Sequence, residues 1–204
     1  MIDEGYIKYQ CNWIKADPVS FNEIKELNQW RDKLYQLGLI GEYENGIGFG
    51  NISIRYCLPG QFIVSGTHTG SLLTLNEKHY TRVTDFDIGK NCLTCEGPIQ
   101  ASSESLTHAV LYEADSKVNA IIHVHHLKLW QRLMYKVPTS AQDVPYGTPE
   151  MAREIIRLFK EENLGEKKIM VMAGHEEGII SFGSNLEAAG KIILGCYHDL
   201  IVES

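Results

Sequence analysis

The feature that most restricts the fold of this sequence is an apolar run over residues 118–124, which predicts a β-strand between two helices. The helix before it can be capped by Ser102 or Ser103 and runs to about Ala114. The helix after it ends near Val137-Pro138, because proline discourages continuation. Helix and strand therefore alternate in this part of the chain.

Patterns elsewhere predict further helices and strands. Apolar positions spaced by three and four residues predict a helix over residues 20–37, with Ser20 and Glu23 as a capping box. Another helix opens at Thr148-Pro149, and a closing helix is capped by Ser184. Strands are predicted at residues 51–56, 61–64, 80–88, 169–172 and 178–182, the first two as an antiparallel hairpin.

The composition indicates one globular domain. The chain has 204 residues, of which 44% are apolar and 22% are charged, and this is long enough for a core of its own. No internal repeat, low-complexity tract or composition shift marks a linker. We therefore expect a single layered α/β domain over residues 1–204.

Charge and hydropathy argue against two kinds of partner. The formal net charge is -7 and the basic residues are scattered, whereas a nucleic-acid binder usually has a basic patch. The amino terminus has no basic region followed by an apolar run, and no stretch is apolar over the length needed to cross a bilayer. We expect a cytoplasmic protein that binds neither nucleic acid nor membrane.

The five cysteines do not suggest a disulfide framework, because their number is odd and their spacing is uneven. Cys92 and Cys95 form a Cys-x-x-Cys pair, but a structural zinc site would need a second pair, which the sequence lacks. We interpret Cys92 and Cys95 as two reduced thiols in a loop.

Two histidines, His123 and His125, lie at the end of the apolar run. Side chains two residues apart on a strand point to the same face, so the two imidazoles could chelate a metal ion together. They could also be solvated or hydrogen-bonded histidines without a metal. A catalytic metal site needs a third protein ligand, and His175, in a Gly174-His175 turn after another apolar strand, is the candidate.

Polar residues near the predicted strand and helix ends are further candidates for the site, one as a carboxylate and the others as groups that could bind an anion. Glu104 lies in the first turn of its helix, where the helix dipole alone would favour a carboxylate. Ser102 and Ser103 at the same helix start would suit a phosphate group. Gly50-Asn51 and Ser65-Gly66 are small, donor-rich turns beside strand ends, although each taken singly is simply a turn.

Several short motifs occur in one order along the chain: Gly50-Asn51-Ile52-Ser53, Ser65-Gly66, Ala101-Ser102-Ser103-Glu104, His108, His123-Val124-His125 and Gly174-His175. In this order and spacing the chain resembles the class II aldolase/adducin family over nearly its whole length. The resemblance implies an α/β fold in which a central, mainly antiparallel β-sheet is flanked by helices. It also implies a homo-oligomer, commonly a tetramer.

The resemblance assigns roles to the candidate residues. His123, His125 and His175 look like the ligands of a divalent metal, usually Zn²⁺, with Mn²⁺, Co²⁺ or Fe²⁺ as alternatives. Glu104 looks like the catalytic acid/base, and His108 could orient a neighbour, although a packed or solvated histidine is the simpler interpretation. The residues that look like the pocket for a substrate phosphate are Asn51, Ser65, Gly66, Ser102 and Ser103.

The activity that the resemblance implies is that of a metal-dependent lyase. Such an enzyme would cleave a small phosphorylated ketose by a retro-aldol reaction, with the metal stabilising an enediolate and Glu104 moving the protons. A dehydratase or decarboxylase of a related sugar phosphate or oxo-acid phosphate would need the same site. A non-catalytic, adducin-like assembly module is the alternative from a different class.

The sequence departs from the family's pattern at, among others, two places near the candidate site. It has no evident counterpart of the tyrosine that fuculose-phosphate aldolases use as a second proton donor, and Tyr135 and Tyr146 are the possible replacements. Glu176 and Glu177 also stand between His175 and the next glycine, which the family usually places directly after that histidine. An extra carboxylate could therefore lie near the metal.

Overall fold

The computed structural model describes residues 7–202, in which an eight-stranded sheet lies between two layers of helices. The strands are β1 (Gln10–Lys15), β2 (Gly41–Glu42), β3 (Gly48–Phe49), β4 (Asn51–Arg55), β5 (Phe62–Ser65), β6 (Tyr80–Asp87), β7 (Cys92–Gly97), β8 (Ala120–His125), β9 (Ile169–Val171) and β10 (Gly178–Gly183). The α-helices are α1 (Phe21–Gln36), α2 (Ser105–Ala114), α3 (Leu127–Leu133), α4 (Pro149–Glu161), α5 (Leu164–Lys167) and α6 (Leu186–Val202). No helix in the described residues is both long enough and apolar enough to cross a membrane.

The strands of the large sheet follow the order β1-β7-β6-β5-β4-β8-β10-β9. The pair at one edge of this sheet, β1 and β7, is parallel, and the other neighbouring strands pair in antiparallel fashion. Strands β2 and β3 form a separate hairpin. The α/β class and the mainly antiparallel sheet implied by the family resemblance are confirmed.

Strand β8 has a hydrophobic core on each of its faces. Ile121 belongs to the core formed with α2 and α4, whereas Ile122 belongs to the core formed with α1 and α6. Because side chains alternate along a strand, His123 and His125 share the face of Ile121. Both imidazoles therefore point toward the layer that contains α2 and α4.

The assignment of Cys92 and Cys95 to a loop is wrong. Both lie on β7, a strand that the sequence analysis does not predict, and the Sγ atom of Cys95 is 3.8 Å from that of Cys11 on β1. Leu93, Cys95 and Gly97 are the buried residues of an alternating pattern. Cysteine is commonly buried in proteins. Counting Cys95 as an apolar residue, like Leu93, gives the alternation of a β-strand.

The predicted cap of α2 is also wrong. The helix begins at Ser105 with Glu104 in the N-cap position, whereas Ser102 and Ser103 belong to the turn before it. The Ser102 hydroxyl accepts a hydrogen bond from the Glu104 N–H at 3.4 Å within that turn. Serine is favoured in turns as well as at helix starts, so its presence does not fix the first helical residue.

The two other predicted caps differ in outcome. For α1 the capping interaction is confirmed, since the Glu23 carboxylate accepts from the Ser20 N–H at 2.9 Å. For α6 the cap lies one residue later than predicted, because the side chain of Asn185, not of Ser184, accepts from the Ala188 N–H at 2.8 Å. Asparagine and serine cap helices about equally well, so neighbouring candidates are hard to separate.

Candidate metal centre

Two of the candidate ligands come from the end of strand β8. His123 pairs with Asn51 on β4 along one edge and with Ile180 on β10 along the other. This pairing fixes the rotation of the strand, so the His123 and His125 side chains point the same way. Their ring centroids are 4.8 Å apart, and both residues are almost completely buried.

His175 reaches the same point from the turn between β9 and β10. Its ring centroid is 5.5 Å from that of His123 and 4.8 Å from that of His125. Gly174 permits this turn, because a Cβ atom there would collide with the carbonyl oxygen of Val144. One ligand atom from each of the three buried histidines lies within 4.8 Å of the others, so the structure brings the predicted ligand set together.

Burial keeps these imidazoles neutral. Loss of hydration lowers the pKa of His123 to about 3 and holds the pKa of His125 and of His175 well below the usual value. The neighbouring histidines lower the latter two pKa values further, and Lys8 adds to the effect on His175. A neutral imidazole offers the lone pair that a metal ion needs.

Glu104 faces the histidines from the start of α2. Its Oε1 atom is 3.6 Å from Nε2 of His175, and within the described chain neither carboxylate oxygen has a hydrogen-bond partner. Burial raises the pKa of Glu104 to about 7, whereas the nearby Thr107 side chain, which lies outside hydrogen-bonding geometry, and then the positive charge of Lys8 oppose the rise. A carboxyl group with this pKa can accept and return a proton near neutral pH, and a bound cation would favour its charged form.

The arrangement fits a divalent metal ion. Besides the Glu104 oxygens, Nε2 of His123 is buried without a hydrogen-bond partner in residues 7–202. Each such buried and unsatisfied group costs roughly 1–3 kcal/mol, a cost that a bound cation would remove. Three neutral imidazoles are a ligand set of catalytic zinc sites and leave a coordination position for water or substrate. The same donors also suit manganese, cobalt or iron.

A polar cavity of about 220 Å³ is lined by residues 46–48, 50–51, 66–70 and 102–103, and it reaches the histidine cluster through Asn51. Four of the five predicted phosphate-binding residues line it, namely Asn51, Gly66, Ser102 and Ser103. The side-chain amide nitrogen of Asn51 also lies 3.3 Å from Nδ1 of His123, so the cavity and the histidine cluster share this residue. Ser65 differs from the other four, because its hydroxyl accepts from the Ile52 N–H at 3.2 Å and joins β5 to β4.

Of the two candidate tyrosines, Tyr146 lies against the histidine cluster. Its ring centroid is 4.4 Å from that of His175, and the Lys8 ammonium is 3.8 Å from the Tyr146 ring centroid. Tyr135 is 75% exposed, so its side chain points to solvent. Of these two tyrosines, Tyr146 is therefore the one that contacts the site within a single chain.

Tyr43 and Lys8 contact the site although the sequence analysis does not single them out. The Tyr43 hydroxyl is 2.9 Å from Nδ1 of His125 and donates a hydrogen bond to the Glu177 carboxylate at 2.8 Å. The nearby Asn45-Gly46 dipeptide is a hairpin signal that could have predicted the turn between β2 and β3, but not its position beside β8. Lys8 has no comparable signal.

His108 is packed between α2 and β4. Its Nδ1 atom is 2.7 Å from the Ser53 hydroxyl, which is 2.8 Å from the Tyr112 hydroxyl. Burial, and secondarily His123, lowers the pKa of His108 well below the usual value, so this imidazole is neutral. Its position matches the simpler interpretation of a packed histidine.

Several solved structures share this fold. An L-fuculose 1-phosphate aldolase has a TM-score of 0.66 and 18% identity, with 91% of this chain and 86% of that chain covered. A putative aldolase/epimerase/decarboxylase from Klebsiella pneumoniae has a TM-score of 0.65 and 16% identity, with 90% and 89% covered. A sugar-phosphate aldolase from Thermotoga maritima has a TM-score of 0.63 and 16% identity, with 89% and 94% covered. At these identities the likeness is one of fold.

A family model adds a match at the level of sequence. The model described as the class II aldolase and adducin N-terminal domain matches residues 42–195. This range covers most of the chain and includes the three histidines, Glu104 and the residues that line the cavity. The chain therefore belongs to the class II aldolase/adducin family.

Proposed function

We propose that the protein is a metal-dependent lyase that cleaves a small phosphorylated ketose by a retro-aldol reaction. The observation that carries the proposal is the convergence of three buried imidazoles with the buried carboxylate of Glu104. Burying such groups costs free energy, and clusters of this kind with strongly shifted pKa values are typical of catalytic sites. Class II aldolases use a divalent metal, commonly Zn²⁺, and we propose Zn²⁺ at His123, His125 and His175.

The polar cavity supports a phosphorylated substrate. Asn51 and Ser103, which carry an amide and a hydroxyl, line the cavity, and α2 begins two residues after Ser103, where the helix dipole favours an anion. Because Asn51 also contacts His123, a phosphate in the cavity would lie close to the metal ligands. Two of the similar structures are an L-fuculose 1-phosphate aldolase and a sugar-phosphate aldolase.

Each residue has a distinct role in the proposed reaction. When bound, the metal ion would act as a Lewis acid that stabilises negative charge on the substrate oxygens. Glu104 would take the proton from the substrate hydroxyl on the carbon that becomes the aldehyde, and would return it to the other carbon of the broken bond. Tyr146, packed on His175, would shield that side of the site from water.

Replacing His123 with alanine should remove metal and activity together, because two imidazoles bind an ion more weakly than three. Wild-type protein supplied with Zn²⁺ should retain about one ion per chain, the number expected for one catalytic site. Elemental analysis after removal of free ion measures this content. The control is His198→Ala, which alters an exposed histidine on α6 and should keep the metal. A wild type that takes up no divalent ion would contradict the proposal and favour the assembly module.

Product analysis on a panel of ketose phosphates tests which bond breaks. Release of an aldehyde is expected for the wild type, whereas loss of water without fragmentation would indicate a dehydratase and release of carbon dioxide a decarboxylase. The same assay tests Glu104→Gln, which keeps the shape of the side chain but cannot take up the proton. Turnover should fall about 100- to 10,000-fold with the metal content unchanged.

The matched control for Glu104→Gln is Glu113→Gln, because Glu113 is an exposed residue of the same helix. It should retain wild-type turnover. If Glu104→Gln kept more than about a tenth of the activity, Glu104 would not be the acid/base, since proton transfer is worth at least about 100-fold.

Replacing Ser103 with alanine should raise KM for a phosphorylated ketose by about tenfold or more, since a hydrogen bond to a charged group contributes roughly 1.5–3 kcal/mol. Steady-state kinetics would measure the change, with kcat much less affected. The control is Ser184→Ala at an exposed position before α6. An unchanged KM, or an equal rise for the unphosphorylated ketose, would argue against a phosphate in the cavity.

The proposed oligomer is a homotetramer. Strand β1 lies at one edge of the large sheet and exposes Trp13 and Ile14, which is consistent with contact to another copy of the chain. Light scattering coupled to size-exclusion chromatography at micromolar concentration should give about four times the chain mass of 23.0 kDa. A mass of one chain under these conditions would contradict this part of the proposal.

A further inference from the structure

The backbone of Glu177 is held against the end of strand β8. Its φ of 69° lies in the left-handed region, which residues other than glycine rarely adopt. The carbonyl of Glu177 accepts from the His126 N–H at 3.2 Å, and the turn is closed by the Gly178 N–H, which donates to the His175 carbonyl at 3.0 Å. The turn that carries His175 therefore also fixes the backbone position from which the Glu177 side chain extends.

The side chain of Glu177 reaches His125 through Tyr43. The Tyr43 hydroxyl lies 2.8 Å from the Glu177 carboxylate and 2.9 Å from Nδ1 of His125. The Tyr43 ring packs on Phe49 with centroids 4.6 Å apart, and Phe49 packs on His125 with centroids 5.6 Å apart. The hairpin of β2 and β3 thus positions the phenol between the carboxylate and the imidazole.

The available protons fix the direction of these hydrogen bonds. Tyr43 has one hydroxyl proton and an ionised carboxylate can only accept, so Tyr43 donates to Glu177. The phenol oxygen then acts as an acceptor toward His125, which requires a proton on Nδ1 of that ring. A neutral imidazole carries one ring proton, so Nε2 of His125 has the lone pair.

We propose that Glu177, acting through Tyr43, sets His125 in the tautomer that binds a metal ion through Nε2. Tyr43 and Glu177 are positioning residues in this view, because neither is a ligand. Partners of this kind also make a ligand imidazole more basic, and their loss typically weakens metal affinity by about 10- to 100-fold. The effect on metal affinity rests on the proposed function, whereas the effect on the tautomer does not.

His123 provides a contrast within the same cluster. Its Nδ1 atom lies 3.3 Å from the side-chain amide of Asn51. An amide can turn either its nitrogen or its oxygen toward the ring, so this contact is compatible with both tautomers. The carboxylate of Glu177 and the phenol of Tyr43 are compatible with only one tautomer of His125. Loss of the Tyr43 hydroxyl should therefore act on His125 and not on His123.

The test is Zn²⁺ affinity measured by competition with a chromophoric chelator in full-length protein. Tyr43→Phe keeps the ring and removes the hydroxyl, so the Kd should rise by about 10- to 100-fold. Glu177→Gln keeps an acceptor for Tyr43 but removes the charge, and neutral hydrogen bonds are about half as strong, so its Kd should rise by less. Two matched controls, Tyr35→Phe and Glu176→Gln, should bind like the wild type, since neither side chain contacts the cluster in the described structure.

A second measurement reads the tautomer directly in metal-free protein. Long-range ¹H–¹⁵N spectra distinguish a protonated ring nitrogen from one with a lone pair, and a His125→Gln variant assigns the His125 signals. The wild type and both controls should show His125 protonated at Nδ1. Tyr43→Phe should show a mixture of tautomers at His125, and His123 should not change.

The outcomes separate this inference from the proposed function. Weaker Zn²⁺ binding together with a shifted His125 tautomer would support it, whereas wild-type affinity and an unchanged tautomer in Tyr43→Phe would overturn it. If the wild type bound no divalent ion, the proposed metal centre would fail. The tautomer spectra alone would then decide whether Glu177 and Tyr43 set the protonation of His125.

Discussion

The fold and the site both depend on the pairing register of strand β8. The strand is hydrogen-bonded to β4 on one edge and to β10 on the other, and its faces fill two separate cores through Ile121 and Ile122. A slip of one residue would turn His123 and His125 to the opposite face of the sheet. It would also move Ile121 and Ile122 out of the cores in which they pack. The same apolar contacts that stabilise the sheet therefore determine where the imidazoles point.

The site is built from groups that prefer water, and this burial has an energetic cost. The imidazoles of His123, His125 and His175 lose their hydration and are neutral, and the carboxylate oxygens of Glu104 have no hydrogen-bond partner in the described chain. The two apolar cores offset this cost. A chain selected for stability alone would have apolar residues at these positions, so the cluster is best explained by function.

The parts of the structure that could be predicted from sequence are those determined locally. The alternation that places His123 and His125 on one face is a property of a single strand, and the capping of α1 by Ser20 and Glu23 involves residues three apart. The contact between Tyr43 and Glu177 joins positions 134 residues apart, and nothing in either local sequence indicates the other. Strands β1 and β7 were not predicted, and the cause is again non-local. Leu93 and Cys95 are buried by residues from distant parts of the chain. The local sequence left the roles of Glu104 and His175 open, and the resemblance to a family assigned them as acid/base and metal ligand.

The charge of the ligand set limits what the proposed centre can bind. Three neutral imidazoles would leave the full charge of a divalent ion in a buried site, where charge interactions are strong, and one ionised Glu104 would offset only part of it. The excess positive charge of the proposed centre would be complementary to a phosphorylated substrate and to the negative charge that would develop if a carbon–carbon bond broke there. A carboxylate ligand would cancel much of that charge. Glu177 avoids this because it acts through Tyr43, so its negative charge can make His125 a better ligand while the carboxylate stays outside the coordination sphere.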